Sequence, residues 1–192
     1  MKIDHPSLLI VPSRRRFLHG SATLSAAAVA LLAGRPALAA QADTRQGDPA
    51  ADARILNTAL AAEHEAIAAY QLGAGSGLLR APMRDLALQF QGHHKAHVDL
   101  LAQTVTKLGG KPAESRQKYD FPVATLKAEA DVLRFASGLE QGAVSAYLGA
   151  VPLFANPDLA KAAASILGDE AMHWAILRQA LGEDPVPSAF VS

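Results

Sequence analysis

Apolar residues recur along this chain at the spacing of helices, and no segment alternates with a period of two. From Asp52 onward, Ile55, Leu56, Ala59, Leu60, Ile67 and Tyr70 share one stripe of a first helix. "GAGSG" at 73–77 and Pro82 break it. A second helix is predicted from about Met83 to Leu108, with Leu86, Phe90, His97, Leu101, Val105 and Leu108 on one face. "GGKP" then stops the chain with glycine at the C-cap and proline beyond. Residues 110–123 hold Pro112 and Pro122 and show no helical period, so they read as a long connection. A third helix covers about Thr125 to Ala150 and stops at Pro152. The fourth follows "NPD" at 156–158, with Asp158 as its cap, and ends at Gly182. Four amphipathic helices with one long middle connection predict an all-α four-helix bundle with a crossover between helices 2 and 3.

Composition narrows the chemistry. The chain has 192 residues, half of them apolar, and its 18 basic residues balance its 18 acidic ones. No charge excess points to nucleic acid or to an anionic membrane surface. There is no cysteine, so any metal must be held by nitrogen and oxygen ligands.

The N-terminus reads as an address. "SRRRFL" at 13–18 carries paired arginines, Arg14 and Arg15, then Phe17 and Leu18, and resembles the twin-arginine export motif. The mild apolar run Ser21 to Gly34 follows, and "ALA" at 37–39 fits a small-x-small cleavage site. The run is too short and too alanine-rich to span a bilayer comfortably. The expected organisation is a signal peptide at 1–39, a linker at 40–51, a bundle at 52–182 and a tail at 183–192. The expected location is the periplasm or the exterior, with no stable membrane insertion after cleavage.

The polar positions inside the helical stripes carry the candidate function. "FQGHHKAHVDLL" places His93, His94 and His97 within five positions, while the chain beyond the signal holds only His64 and His173 besides. An internal repeat explains the pattern. "EHEAIAAY" (63–70) matches "EQGAVSAY" (140–147), and "HKAHVDLL" (94–101) matches "EAMHWAIL" (170–177), at offsets of 77 and 76 residues. Each half supplies one glutamate on its first helix, Glu63 or Glu140. Each supplies a pair three apart on its second, His94 with His97 or Glu170 with His173. Residues three apart on a helix differ by about 60° in direction and about 4.5 Å in height, so both can reach one ion.

With these residues in view, the chain resembles the ferritin-like superfamily over about 52–182. It is nearest to exported bacterial ferritin-like domain proteins and more distant from the erythrins. The resemblance implies a ferritin-like bundle whose metal ligands are Glu63, His94, His97, Glu140, Glu170 and His173. The implied cofactor is a metal ion, iron first, with manganese or zinc as alternatives. One position departs from the family pattern: histidine stands at 94, where glutamate is expected. Four glutamates would balance two divalent ions, whereas three leave one positive charge. A second ion should therefore bind more weakly, and nitrogen-rich ligation shifts preference toward zinc, copper or nickel. His93 with His97, four apart, is a competing pair for a single ion.

The remaining polar residues take plainer readings. His64 and Glu65 are expected on a solvated face, Tyr70 and Tyr147 in core packing with the alternative of bonding ligands, and Trp174 as groove filler. Phe190 is a candidate to dock the tail. Two functions fit: an oxidase- or peroxidase-type centre handling iron or oxidative stress, or a non-catalytic metal-binding or stress-protective bundle. The expected partners are metal ions, without nucleic acid; a homodimer is compatible with the sequence.

Overall fold

The computed structural model describes residues 48–191. The expected signal peptide and the first part of the expected linker lie outside the described residues. Helix α1 runs Pro49–Gly75, α2 Ala81–Lys107, α3 Glu129–Ala150 and α4 Pro157–Ala180, with short 3-10 turns at Val123–Thr125 and Val151–Leu153. No strand occurs among the described residues. None of these helices is long and apolar enough to cross a membrane.

The chain packs as two hairpins, α1 against α2 and α3 against α4. Tyr70 meets Glu140 while Tyr147 meets Glu63, so α1 and α3 run in opposite directions. It follows that α2 and α3 point the same way, and residues 108–128 must cross the length of the bundle. Asn57 pins this crossover to α1: its amide donates to the Lys111 carbonyl at 2.9 Å and its oxygen accepts the Ala113 N–H at 2.8 Å. Gly110 starts the crossover close to α2, where a Cβ would stand 2.9 Å from Val105 Cγ1.

Two apolar clusters flank a polar middle. One holds Leu56, Leu60, Leu101, Val105 and Ile166; the other holds Ala87, Phe90, Leu133 and Leu177. Each fully buried aliphatic side chain here contributes about 1.5–3 kcal/mol. The middle level of all four helices is therefore held from above and below by packed hydrocarbon.

Several helix starts differ from the sequence expectation. Helix α1 begins at Pro49, because Asp48 Oδ1 accepts the Ala50 N–H at 2.9 Å. The expected linker end at 51 is thus already helical. Asp52 is buried and accepts the N–H groups of Ala155 and Asn156 at 3.0 and 3.1 Å, tying α1 to the α3–α4 turn. Helix α3 starts at Glu129 rather than Thr125, because Asp131 accepts the N–H groups of Lys127 and Ala128 and fixes the first turn there. The cap of α4 is Asn156, whose oxygen accepts the Asp158 N–H at 2.9 Å; Asp158 itself is not the cap. Phe190 does not dock the tail and is 84% exposed. Arg178 holds residues 183–184 instead, donating to the Asp184 carbonyl at 2.7 Å and pairing with Glu183 at 3.0 Å.

Candidate metal centre

The six side chains singled out by the repeat meet in the middle of the bundle. Glu63, His94, Glu140, Glu170 and His173 are buried and His97 is largely so. Their donor atoms form two overlapping groups. Glu63, His94, His97 and Glu170 make one; His94, Glu140, Glu170 and His173 make the other. Glu170 and His94 belong to both, so they stand between the two halves. The two ring nitrogens of His94 face different carboxylates: Nδ1 is 2.8 Å from Glu63 Oε2, and Nε2 is 3.4 Å from Glu140 Oε1. His97 Nδ1 lies 3.2 Å from Glu170 Oε1, and His173 Nδ1 lies 3.4 Å from Glu170 Oε2.

Donors bound to one ion at about 2.0–2.2 Å stand about 3 Å apart, which is the spacing seen here. A second observation bears on the fit. Both oxygens of Glu170 and the Nδ1 atoms of His97 and His173 are buried without a hydrogen-bond partner. A carboxylate with no exposure and no well-formed hydrogen bond costs several kcal/mol unless a cation, a metal ion or a protonated imidazole, meets it. The residues present fit a metal ion.

The surroundings hold these side chains in place. Tyr147 donates to Glu63 Oε1 at 2.6 Å, and Tyr70 donates to Glu140 Oε1. Each tyrosine thus serves the glutamate of the opposite half. Both are buried, but their hydroxyls bond carboxylates, so core packing alone does not describe them. Burial, and then the neighbouring carboxylates, push both phenols above their ordinary range. Burial works against the charged forms of all three inner histidines, and the glutamates outweigh it. Glu140 and Glu63 lift His94 to about 10, Glu170 and Glu63 lift His97 to about 9, and Glu140 and Glu170 lift His173 to about 9. Burial also opposes ionisation of Glu140 and Glu63, but histidine hydrogen bonds hold both below the ordinary carboxylate range.

A cleft of about 700 Å3 between α1 and α3 opens onto this centre. Ala59, Ala62, Ala66, Ala143 and Ala146 keep its walls low, and Glu63, His94, Glu140 and Tyr147 line it.

His93 does not join the inner group. Its ring is 39% exposed on the outer side of His173. The competing pair of His93 and His97 is therefore not what α2 presents inward; His94 takes that place. His64 is not solvated as expected, because its Nε2 lies 3.2 Å from the Ala113 carbonyl and helps hold the crossover. Trp174 is half-buried, with the Arg178 guanidinium 5.6 Å from its ring.

The sequence reading passed over Asp169. Its Oδ2 lies 3.4 Å from His97 Nε2 and 3.3 Å from His173 Nε2, so one carboxylate backs both imidazoles. The signal was present: Asp169 lies 76 residues after His93, at the same offset as the histidine match.

Comparison with known proteins gives a consistent picture. A family model described as a ferritin-like domain matches residues 51–183. A conserved hypothetical protein from Mycobacterium tuberculosis superposes with a TM-score of 0.64 at 24% identity, covering 73% of this chain and 97% of that one. A structure from Bacillus anthracis described as ferritin-like, diiron-carboxylate proteins gives a TM-score of 0.60 at 20% identity, covering 68% and 94%. At these identities the likeness is one of fold. No curated protein matches.

Proposed function

This chain belongs to the ferritin-like domain family, and from that premise we propose that its inner cluster is a metal centre for iron, reacting with dioxygen or peroxide in an exported protein. The observation that carries the reading is Glu170, unexposed, with neither oxygen bonded by a donor. Glu63 and His97 would hold one ion, Glu140 and His173 the other, with Glu170 between them. The iron would supply redox change and open coordination positions. The chain's own residues supply the rest. Tyr147 and Tyr70 orient Glu63 and Glu140, and Asp169 holds the outer nitrogens of His97 and His173. The alanine-walled cleft gives small reactants a path to the centre.

His94 sets the expected stoichiometry. Three carboxylates against two divalent ions leave one positive charge, so one ion should bind tightly and the second weakly. His94→Glu restores the fourth carboxylate. It should raise iron toward two per chain and speed ferrous oxidation by dioxygen. The experiment is anaerobic titration with ferrous iron, manganese and zinc, read by stoichiometry and thermal shift, because a ligand that binds the native state raises its stability. Tight binding of two irons by the wild type, unchanged in the variant, would remove His94 from the bridging place. If no metal binds either protein, a stress-protective bundle becomes the better description.

A further inference from the structure

A second cluster of metal-binding side chains lies on the outer side of the same histidines. His93 and His97 come from α2, and Asp169 and His173 from α4. Three of their atoms form a small triangle. His93 Nδ1 is 2.9 Å from His173 Nε2 and 3.2 Å from Asp169 Oδ2; His173 Nε2 is 3.3 Å from Asp169 Oδ2. His97 Nε2 approaches the same Asp169 oxygen at 3.4 Å. Donors arranged around one ion at about 2.0–2.2 Å have this spacing. The inner cluster uses the Nδ1 faces of His97 and His173; this one uses their Nε2 faces.

The place is reachable. A cleft of about 610 Å3 opens along α4, with low walls at Ala162, Ser165 and Gly168, and it reaches His97 and Asp169. His93 is itself partly in solvent. Repeat logic makes the position conspicuous. Asp169 and Glu170 in one half correspond to His93 and His94 in the other, so both acids of that pair are imidazoles here.

We propose that His93, Asp169 and His173, with His97 beside them, form an outer site for a divalent first-row transition metal, through which ions load the inner centre. Two or three imidazole nitrogens and one carboxylate oxygen suit iron, cobalt, nickel or zinc, and not the all-oxygen preference of calcium or magnesium. The two sites share His173, and a neutral ring has one lone pair. To bind outside, Nε2 must be bare and Nδ1 must carry the proton, where Glu140 and Glu170 lie 3.4 Å away to accept it. To bind inside, the ring must carry its proton on Nε2, facing Asp169 and His93. Occupation of one site therefore opposes occupation of the other through this ring, as an entrance requires. The loading role rests on the metal reading of the inner cluster; the existence of the outer site does not.

The test is cobalt(II) uptake by the metal-free full chain, followed by visible absorption in a rapid-mixing instrument and by equilibrium titration. Wild type should show a fast phase of nitrogen-rich absorption and then a slower change as ions move inward. His93→Gln keeps an amide that can hydrogen-bond Asp169 but offers no imidazole. It should lose the fast phase and load the inner centre at least tenfold more slowly. The double variant Glu63→Gln, Glu140→Gln weakens the inner centre and spares the outer one. It should still bind one cobalt, with affinity reduced at least tenfold when His93→Gln is added. Uptake in His93→Gln at the wild-type rate and affinity overturns the proposal and leaves His93 as a hydrogen-bonding support. If the inner centre binds nothing, the wild type behaves like the double variant and still depends on His93, which separates the two failures.

Discussion

His94 shows how much one side chain decides. Without metal, three imidazoles raised to about 9–10 face three glutamates, two of them held below their usual range. Near neutral pH the empty centre is thus close to charge balance, with protons in place of cations. A histidine whose folded value is raised stabilises the native state fully below its ordinary value of 6.5 and loses that contribution as pH passes the folded value. The lowered carboxylates contribute above their ordinary 4.5 and lose their effect as pH falls. The metal-free protein should therefore lose stability between pH 7 and pH 10, on the order of a few kcal/mol. Metal must displace these protons, so binding at pH 7 should release them and should tighten as pH rises. Melting curves at both pH values, with a pH-indicator dye during metal addition, check both statements. A flat melting temperature and no proton release would contradict them. The positions of these six residues were legible because the internal repeat pairs Glu63 with Glu140, His94 with Glu170 and His97 with His173. Asp169 was not, because it is a partly exposed acid whose role appears only when α2 brings His97 beside it, next to His173 one turn along its own helix.

At the level of elements, the centre depends on keeping four helices in register at one height. Period alone gave four helices and the long connection, since stripes such as Leu56–Leu60 and Leu101–Val105 are strong. The ends were less legible because tertiary and capping bonds set them. Asp131 moves the start of α3, and Asn57 and His64 hold the crossover through backbone groups that carry no sequence signature. Asp52 is the sharpest case: an acid at an apparent helix start proves to be a buried tie to residues 155 and 156. Asp52→Ala would leave two backbone N–H groups there without their acceptor. The expected cost is about 3 kcal/mol in unfolding free energy. Asp52→Asn keeps one oxygen and should cost less. Denaturant unfolding of both variants measures this; an alanine variant as stable as wild type would mean that water replaces the carboxylate. Metal binding by the folded variants should be unchanged, because the tie lies far from Glu63 along α1.

For the whole molecule, a duplicated helix pair produces a nearly two-fold site. Tyr70 and Tyr147 cross to opposite glutamates, and the inner groups share Glu170 and His94. The departures from symmetry, His93 and His94 against Asp169 and Glu170, fall on the proposed metal ligands and their backing. A centre of this kind must be assembled from four helices before it can hold an ion, so folding comes before metal loading. Export of the chain already folded would match that order. The twin-arginine route carries folded proteins, and a chain exported unfolded would have to find its metal outside. We expect export by this route, motivated by "SRRRFL" and the following apolar run. Replacing Arg14 and Arg15 together by lysine should leave unprocessed precursor in the cytoplasm, still folded and still able to bind metal. The variant is followed by cell fractionation and by the size of the chain, since cleavage after Ala39 shortens it. Parallel expression in a host without the twin-arginine translocase should give the same retention. Normal processing in either experiment would assign export to another route. Retained precursor that is unfolded or unable to bind metal would instead break the proposed link between folding, loading and passage.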